Sequence, residues 1–320
     1  MSLKIKTLSV VGFCVISIFL FGSLLDIGYR GEAGQEKNEV TDEALFTVME
    51  DAIIVPGLQE GYTFLVVNDM HIAVESDNIP AEFQDAVKKR HEMFISEAGV
   101  YSSQLWLQTA EALAAYDADA VLLAGDMMDF MSAENMDCLK YGLDKLTMPY
   151  MYVRADHDYG NWYYNMDSST VKEEHQALDD DADYYAWEFD ELILFGINNS
   201  TRQISAAALD VFKLALDKAK PILIVTHVPF LPENDGTLAE KSRQVWQNRV
   251  LLWGDNGFYY PDQTTREFMD LMLAPESTVV GVISGHLHFQ DRSMLNERIV
   301  QIVYEPSYLG YIGILNIVGS

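Results

Sequence analysis

Seven histidines occur in the chain, and five of them stand in short blocks that also carry aspartate, glycine or proline. The blocks are Asp69-Met70-His71, Gly125-Asp126-Met127-Met128-Asp129, Asp156-His157-Asp158, Thr226-His227-Val228-Pro229 and Gly285-His286-Leu287-His288. Imidazole nitrogens and carboxylate oxygens are donors for divalent ions such as zinc, iron and manganese. Four imidazoles and three carboxylates exceed what one tetrahedral zinc site takes, and they leave His157 to spare. A donor set of that size suits two metal ions about 3.5–4 Å apart, bridged by a carboxylate and a water. In D-x-H and H-x-H on an extended backbone both side chains leave on the same side, so the spacing predicts paired ligands.

In this order the blocks resemble those of the calcineurin-like metallophosphoesterase family, whose pattern runs D-x-H, G-D-x-x-D, G-N-H-D/E, a lone His and G-H-x-H. The resemblance spans residues 62–318. It implies that Asp69, His71 and His288 hold one metal ion, that His227, His286 and Asp156 hold a second, and that Asp126 bridges the two. His157 matches the family's catalytic histidine, which protonates the leaving oxygen or contacts the phosphate, and Asp129 is expected to orient it. The fold implied is an α/β, four-layer sandwich of two mixed β-sheets flanked by helices. The cofactor implied is a pair of divalent metal ions, with manganese, iron and zinc all compatible with the donors.

The activity implied is hydrolysis of a phosphate ester on a small molecule or head group. Two cations pull the pKa of a shared water toward neutrality and clamp the phosphoryl oxygens, so that the resulting hydroxide attacks in line. His157 then serves the leaving group, a role worth ~10²–10⁴-fold. The third block departs from the family: Ala155-Asp156-His157 stands where G-N-H is usual, and Arg154 precedes it. Alanine there predicts a backbone without positive φ. Aspartate supplies a third carboxylate, which with a bridging hydroxide cancels the charge of two divalent ions, so monoanionic diesters are expected to be favoured over dianionic monoesters. Arg154 is expected either to pair with Asp156 or the substrate, or to lie on the surface. The alternative reading is a catalytically weak or inactive metal- and phosphate-binding module on the same fold. His157 argues against it, because a purely structural metal site has no need of that residue.

The elements that must position these blocks are legible as short apolar runs. Strands are expected at Tyr62–Val67, Ala120–Ala124, Tyr150–Val153, Glu191–Ile197, Ile222–Thr226, Val279–Ser284, Ile299–Val303 and Tyr311–Val318, with helical spacing over Ala81–Ile95 and Ser103–Ala115. The alternation argues for an α/β domain, in which sites gather at the carboxyl ends of strands. Two aromatic clusters flank the blocks, Tyr159 with Trp162, Tyr163 and Tyr164, and Trp253 with Phe258, Tyr259 and Tyr260. They are candidates either for loop packing or for holding a flat or cationic leaving group. Leu231–Asp262 is a candidate lid or structural insert, His91 and His175 read as surface residues, and Cys138 reads as a small core residue.

Of 320 residues, 49% are hydrophobic and 12% aromatic, enough for a large core, while the net charge is −28. Such acidity disfavours a nucleic-acid polymer as partner, since phosphate binding needs clustered Lys and Arg. Two cysteines, Cys14 and Cys138, make neither a disulfide framework nor a zinc site. Thr7–Leu25 carries no charge, and Lys4 and Lys6 precede it. The run predicts a membrane anchor or a signal peptide over residues 1–30, then a polar tether over 31–60, with the catalytic domain at 61–320 outside the cytoplasm. The expected location is the cell membrane, or secretion if the segment is cleaved.

Overall fold

The computed structural model describes residues 45–163, 166–179, 183–200, 203–254 and 257–320. Along the first half of the chain these form β1 (Thr47–Val55), β2 (Tyr62–Val67), α1 (Ala81–Met93), α2 (Ser102–Leu113), β3 (Ala120–Ala124), α3 (Ala133–Leu143), β4 (Tyr150–Val153), α4 (Asp156–Tyr159) and α5 (Ser168–Leu178). There follow β5 (Tyr184–Glu188), β6 (Ile193–Ile197), α6 (Ala206–Leu216), β7 (Ile222–Thr226), α7 (Thr237–Val245), α8 (Gln263–Leu273), β8 (Val279–Ser284), β9 (Asp291–Met294), β10 (Val300–Val303) and β11 (Tyr311–Gly319).

Strand β2 shows how alternation builds the layers. Phe64 and Val66 face the interior between two sheets, where they meet Leu194, Leu223, Val225 and Ile283. Leu65 and Val67 face the opposite way, onto Trp106 of α2 and Leu139 of α3. Side chains on a strand alternate between faces, so a run buried on both sides must lie inside a layered sandwich. The second sheet repeats the pattern: Phe195 and Ile224 point outward to Phe212 of α6 and Phe268 of α8. The result is the expected arrangement of two sheets between two layers of helices.

One sheet has the order β1-β11-β2-β3-β4 and the other β5-β6-β7-β8-β10-β9. β2, β3 and β4 run parallel in the first, and β6, β7, β8 and β10 run parallel in the second. Antiparallel partners lie beside them, β11 against β2, β5 against β6 and β9 against β10. Both sheets are therefore mixed. The chain leaves β2, β3, β4, β7 and β8 directly into the five polar blocks.

Strand β1 corrects the sequence reading. Residues 47–55 were expected within a tether, yet they pair in parallel with β11 over its whole length, from Thr47 opposite Tyr311 to Val55 opposite Gly319. Met49, Ile53 and Val55 enter the core between the sheets. Thr7–Leu25 and the rest of residues 1–44, where the anchor or signal was expected, lie outside the described residues. Among the described residues no helix is long and apolar enough to cross a membrane.

Candidate active site

Five of the candidate ligands hold a backbone that side-chain-bearing residues seldom adopt. Asp69 (φ 47°), His71 (φ 47°), Asp126 (φ 51°), His286 (φ 72°) and His288 (φ 53°) all lie in the left-handed region. The two D-x-H and H-x-H pairs are thus presented from sharp turns, not from the extended backbone that the spacing suggested. Each such residue costs ~1–3 kcal/mol unless its surroundings impose it. Here they do. Asp69 N–H donates to Gly125 O (3.0 Å), His71 N–H to Asp126 O (2.9 Å), and Asp129 N–H to Ile72 O (3.0 Å), knitting the first two blocks together. Gly125, at φ 89°, packs so closely that a Cβ there would sit 2.5 Å from the His227 ring. Ala155 has φ −127°, an extended conformation open to any residue, as its replacement of glycine predicted.

The third block is fixed by Asp158. Its carboxylate accepts the backbone N–H groups of Asp126 (3.1 Å), Met128 (2.9 Å) and Ala155 (2.7 Å). One buried side chain thereby ties the turn after β4 to the turn after β3. The sequence reading gave Asp158 no role, although it stands in the same block as Asp156 and His157.

The donor atoms converge. Asp69 Oδ2 accepts from Asn68 Nδ2 (2.7 Å) and the His286 N–H (2.8 Å). Its Oδ1 is buried without a hydrogen bond and lies 3.2 Å from His288 Nε2 and 3.9 Å from both His71 Nε2 and His227 Nε2. His71 Nε2 and His288 Nε2 are only 3.2 Å apart. Asp126 Oδ2 is 3.1 Å from His227 Nε2 and 3.8 Å from His71 Nε2. His227 Nε2 is buried and likewise makes no hydrogen bond. An acceptor faces the other nitrogen of each ring: Asp129 Oδ1 lies 3.1 Å from His71 Nδ1, and Ala124 O lies 2.9 Å from His227 Nδ1. In neutral rings this puts the proton on Nδ1 and turns a lone pair on Nε2 toward the carboxylates.

Asp69 Oδ1, buried without a hydrogen bond, faces the Nε2 atoms of three imidazoles, and a divalent cation at their focus would satisfy all of them. Three overlapping groups of donors could hold an ion: Asp69, His71 and His288; Asp69, Asp126 and His227; and His71, Asp126 and His157. Asp69, His71 and Asp126 each occur in two of the groups, so the groups share one compact centre. Asp156 and His286 fall outside these tight groups, though both border them. Burial, with the Asp126 charge adding to it, raises the Asp156 carboxyl above the usual range. The His286 ring stands edge-on to His227 at 5.0 Å, with Nε2 3.3 Å from Tyr259 Oη.

Electrostatics agree with an acidic centre in need of cations. Burial opposes charge on His227, yet Asp126 and Asp69 outweigh it and carry its pKa to about 10. Burial also opposes charge on His157, where Asp126 and Asp129 win and carry it to about 10. A proton on His227 thus occupies the electrostatic role that a metal ion would take between the two carboxylates.

His157 has a side chain 26% exposed, where His71 and His227 are closed off, so it can meet a substrate. Its Nδ1 lies 2.7 Å from Asp129 O and 3.3 Å from Asp129 Oδ1. Asp129 therefore contacts both His157 and His71. Arg154 neither lies on the surface nor pairs with Asp156. It is 1% exposed, and its guanidinium bonds to His175 Nδ1 (2.9 Å), Tyr185 Oη (2.7 Å) and Asp179 Oδ1 (2.5 Å). His175, read as a surface residue, is fully buried and bonds to Asp158 O (2.9 Å). Its helix looked polar because this imidazole finds its partners on other elements. His91 is half-buried against Tyr101, and Cys138 half-buried beside α2.

The aromatic clusters divide. Trp253 is buried in the core, whereas Trp162 is half exposed and meets the His157 ring edge-on at 5.2 Å. Trp246 donates to Leu287 O (3.0 Å) and stands edge-on to His288 at 5.5 Å. The insert carrying Trp246 is closed at its base, where Leu231 N–H donates to Trp253 O (2.7 Å).

The sequence pattern of calcineurin-like phosphoesterases matches residues 62–290, which is more than half of the chain. The chain belongs to that family. Among curated proteins the chain has no significant match. Among solved structures, a dimetal phosphatase from Danio rerio is 14% identical with a TM-score of 0.48, over 77% of this chain and 87% of that one. A purple acid phosphatase from yellow lupin (Lupinus luteus) is 12% identical with a TM-score of 0.48, over 81% of this chain and 45% of its own. A 5'-nucleotidase from Candida albicans is 12% identical with a TM-score of 0.37, over 77% of this chain and 45% of its own. The family generally uses a dinuclear metal centre, and this chain carries aspartate and histidine groups that could hold metal ions.

Proposed function

We propose that the protein is a dinuclear metal-dependent phosphoesterase that prefers phosphodiesters. The observation that carries the reading is the convergence of Asp69 Oδ1, Asp126 Oδ2 and the Nε2 atoms of His71, His227 and His288, with Asp69 Oδ1 and His227 Nε2 buried and unbonded. Asp69, His71 and His288 would hold one ion, His227, His286 and Asp156 the other, with Asp126 shared. Two divalent ions there supply positive charge that acidifies water and offsets charge on the phosphoryl oxygens. His157 stands at the open edge, its Nδ1 facing Asp129, and donates a proton to the departing oxygen. Asp129 fixes the ring that does so.

Diester preference is supported by Asp156. A third carboxylate lowers the positive charge offered to a dianionic monoester more than to a monoanionic diester. Asp156→Asn should therefore lower the ratio of diester to monoester turnover; a ratio unchanged or raised would remove this part of the reading. The charge-free run Thr7–Leu25 after Lys4 and Lys6 supports a membrane-tethered enzyme acting outside the cytoplasm.

The test is hydrolysis of bis(p-nitrophenyl) phosphate and p-nitrophenyl phosphate by protein stripped of metal and reloaded with manganese, iron or zinc. Turnover should need metal and collapse in His157→Ala and Asp126→Ala. Two tightly bound ions per chain without turnover of any ester would instead favour the binding module.

A further inference from the structure

We propose that Arg90 is a positioning residue of this centre: from α1 its guanidinium fixes Asp129, and through Asp129 it sets both the ligand His71 and the leaving-group residue His157. The roles of those two histidines rest on the function proposed above; the clamp itself rests on geometry. Arg90 Nε donates to Asp129 Oδ2 at 2.6 Å, and Nη2 donates to Asp129 Oδ1. This is the two-pronged guanidinium–carboxylate pairing that fixes a carboxylate in plane as well as in place. Asp129 is fully buried. Its Oδ1 is at the same time 3.1 Å from His71 Nδ1 and 3.3 Å from His157 Nδ1.

One carboxylate oxygen thus serves two imidazoles of different duty, and its orientation is decided from outside the cleft. Rotating that carboxylate would loosen His71 and His157 together.

A second contact runs from the same helix to the same ligand. Phe94, which caps α1 just past its last residue, stacks on the His71 ring at 4.3 Å with planes 6° apart. The Arg90 guanidinium lies over Phe94, 5.0 Å from its centroid. His71 is therefore held at its edge by Asp129 and on its face by Phe94, and Arg90 touches both supports. Val87 is the one buried residue of α1, so the Arg90–Asp129 pairing adds a polar anchor to a helix with little apolar anchorage. Arg90 itself touches no candidate ligand, and its side chain is 22% exposed, within reach of solutes.

The experiment compares the full chain with Arg90→Ala and Arg90→Lys by two independent readouts. Calorimetric titration of zinc or manganese into metal-free protein should show Arg90→Ala binding about 10–100-fold more weakly, the usual effect of removing a group that orients a ligand. In turnover, kcat should fall with KM little changed, and fall further for an ester with a poor leaving group such as phenolate than for p-nitrophenolate, because the former needs the proton from His157. Millimolar guanidinium should restore much of both losses in Arg90→Ala. Arg90→Lys, with charge but no fork, should lie between and also serves if the alanine variant folds poorly. Metal affinity equal to wild type with a loss independent of leaving group would overturn the proposal, as would losses that guanidinium leaves untouched. Should the wild type hydrolyse no ester, the functional reading fails while the metal titration still decides the role of Arg90.

Discussion

Asp69, His71, Asp126, His286 and His288 keep left-handed backbones only because neighbouring groups hold them there. Asp158 is one of those groups, and its three backbone acceptances need both carboxylate oxygens. Asp158→Asn replaces one acceptor by a donor and leaves a buried N–H unpaired. The expected cost is about 1–3 kcal/mol, read as a lowered urea midpoint together with weaker metal binding. Gly125→Ala meets two obstacles at once, a φ of 89° and the His227 ring. It should displace His227 and abolish turnover; an alanine variant with wild-type activity would show that this contact is not essential. The left-handed turns were not legible in the sequence, because a D-x-H triplet reads the same on a strand or on a tight turn. The donor types were legible, since ligand chemistry belongs to the side chain itself.

At the scale of elements, α4 is a single turn of four residues and cannot persist alone. Its support comes from α5, where His175 bonds both the Arg154 side chain and the Asp158 carbonyl. Burial, with Arg154 adding to it, lowers the His175 pKa to about 4. An unfolded chain holds a proton on this residue up to about pH 6.5, so between those values the unfolded state binds more protons. Stability from His175 is therefore full above pH 6.5 and drains away toward pH 4, by about 3 kcal/mol for a group this buried. Chemical denaturation of metal-free wild type and His175→Asn across that range measures it: the gap between the two should narrow as pH falls, and a constant gap would refute the assignment. The strands missed by the sequence reading share a cause. β5 is half-buried along its length and β9 is a polar edge strand, so neither shows the apolar run that marked β7 or β8. β1 shows partial alternation, yet its membership in the core depends on β11, more than 250 residues away.

For the whole molecule, a charge of −28 opposes compaction, and the buried carboxylates of the site add to the strain until cations arrive. Removing metal with a chelator should lower Tm by several degrees. Restoring manganese or zinc at about 100 times Kd should return ~2.7 kcal/mol per site, and an unchanged Tm would mean that the donors stay empty. Moderate sodium chloride should stabilise the metal-free protein by screening its self-repulsion, and added salt should destabilise it if paired surface charges dominate instead. The layered sandwich and the ligand assignments came through the family resemblance, whereas the sequence by itself determined the α/β class, the central strands and the blocks of aspartate and histidine. Those follow from local facts: apolar alternation, and polar donors placed where apolar runs stop. Tertiary structure alone decided that Arg154 and His175 are buried partners, that Asp129 faces two imidazoles, and that Arg90, 39 residues from Asp129, holds it in place. Burial of a polar side chain depends on what other elements bring to it, and that is a property of the assembled fold.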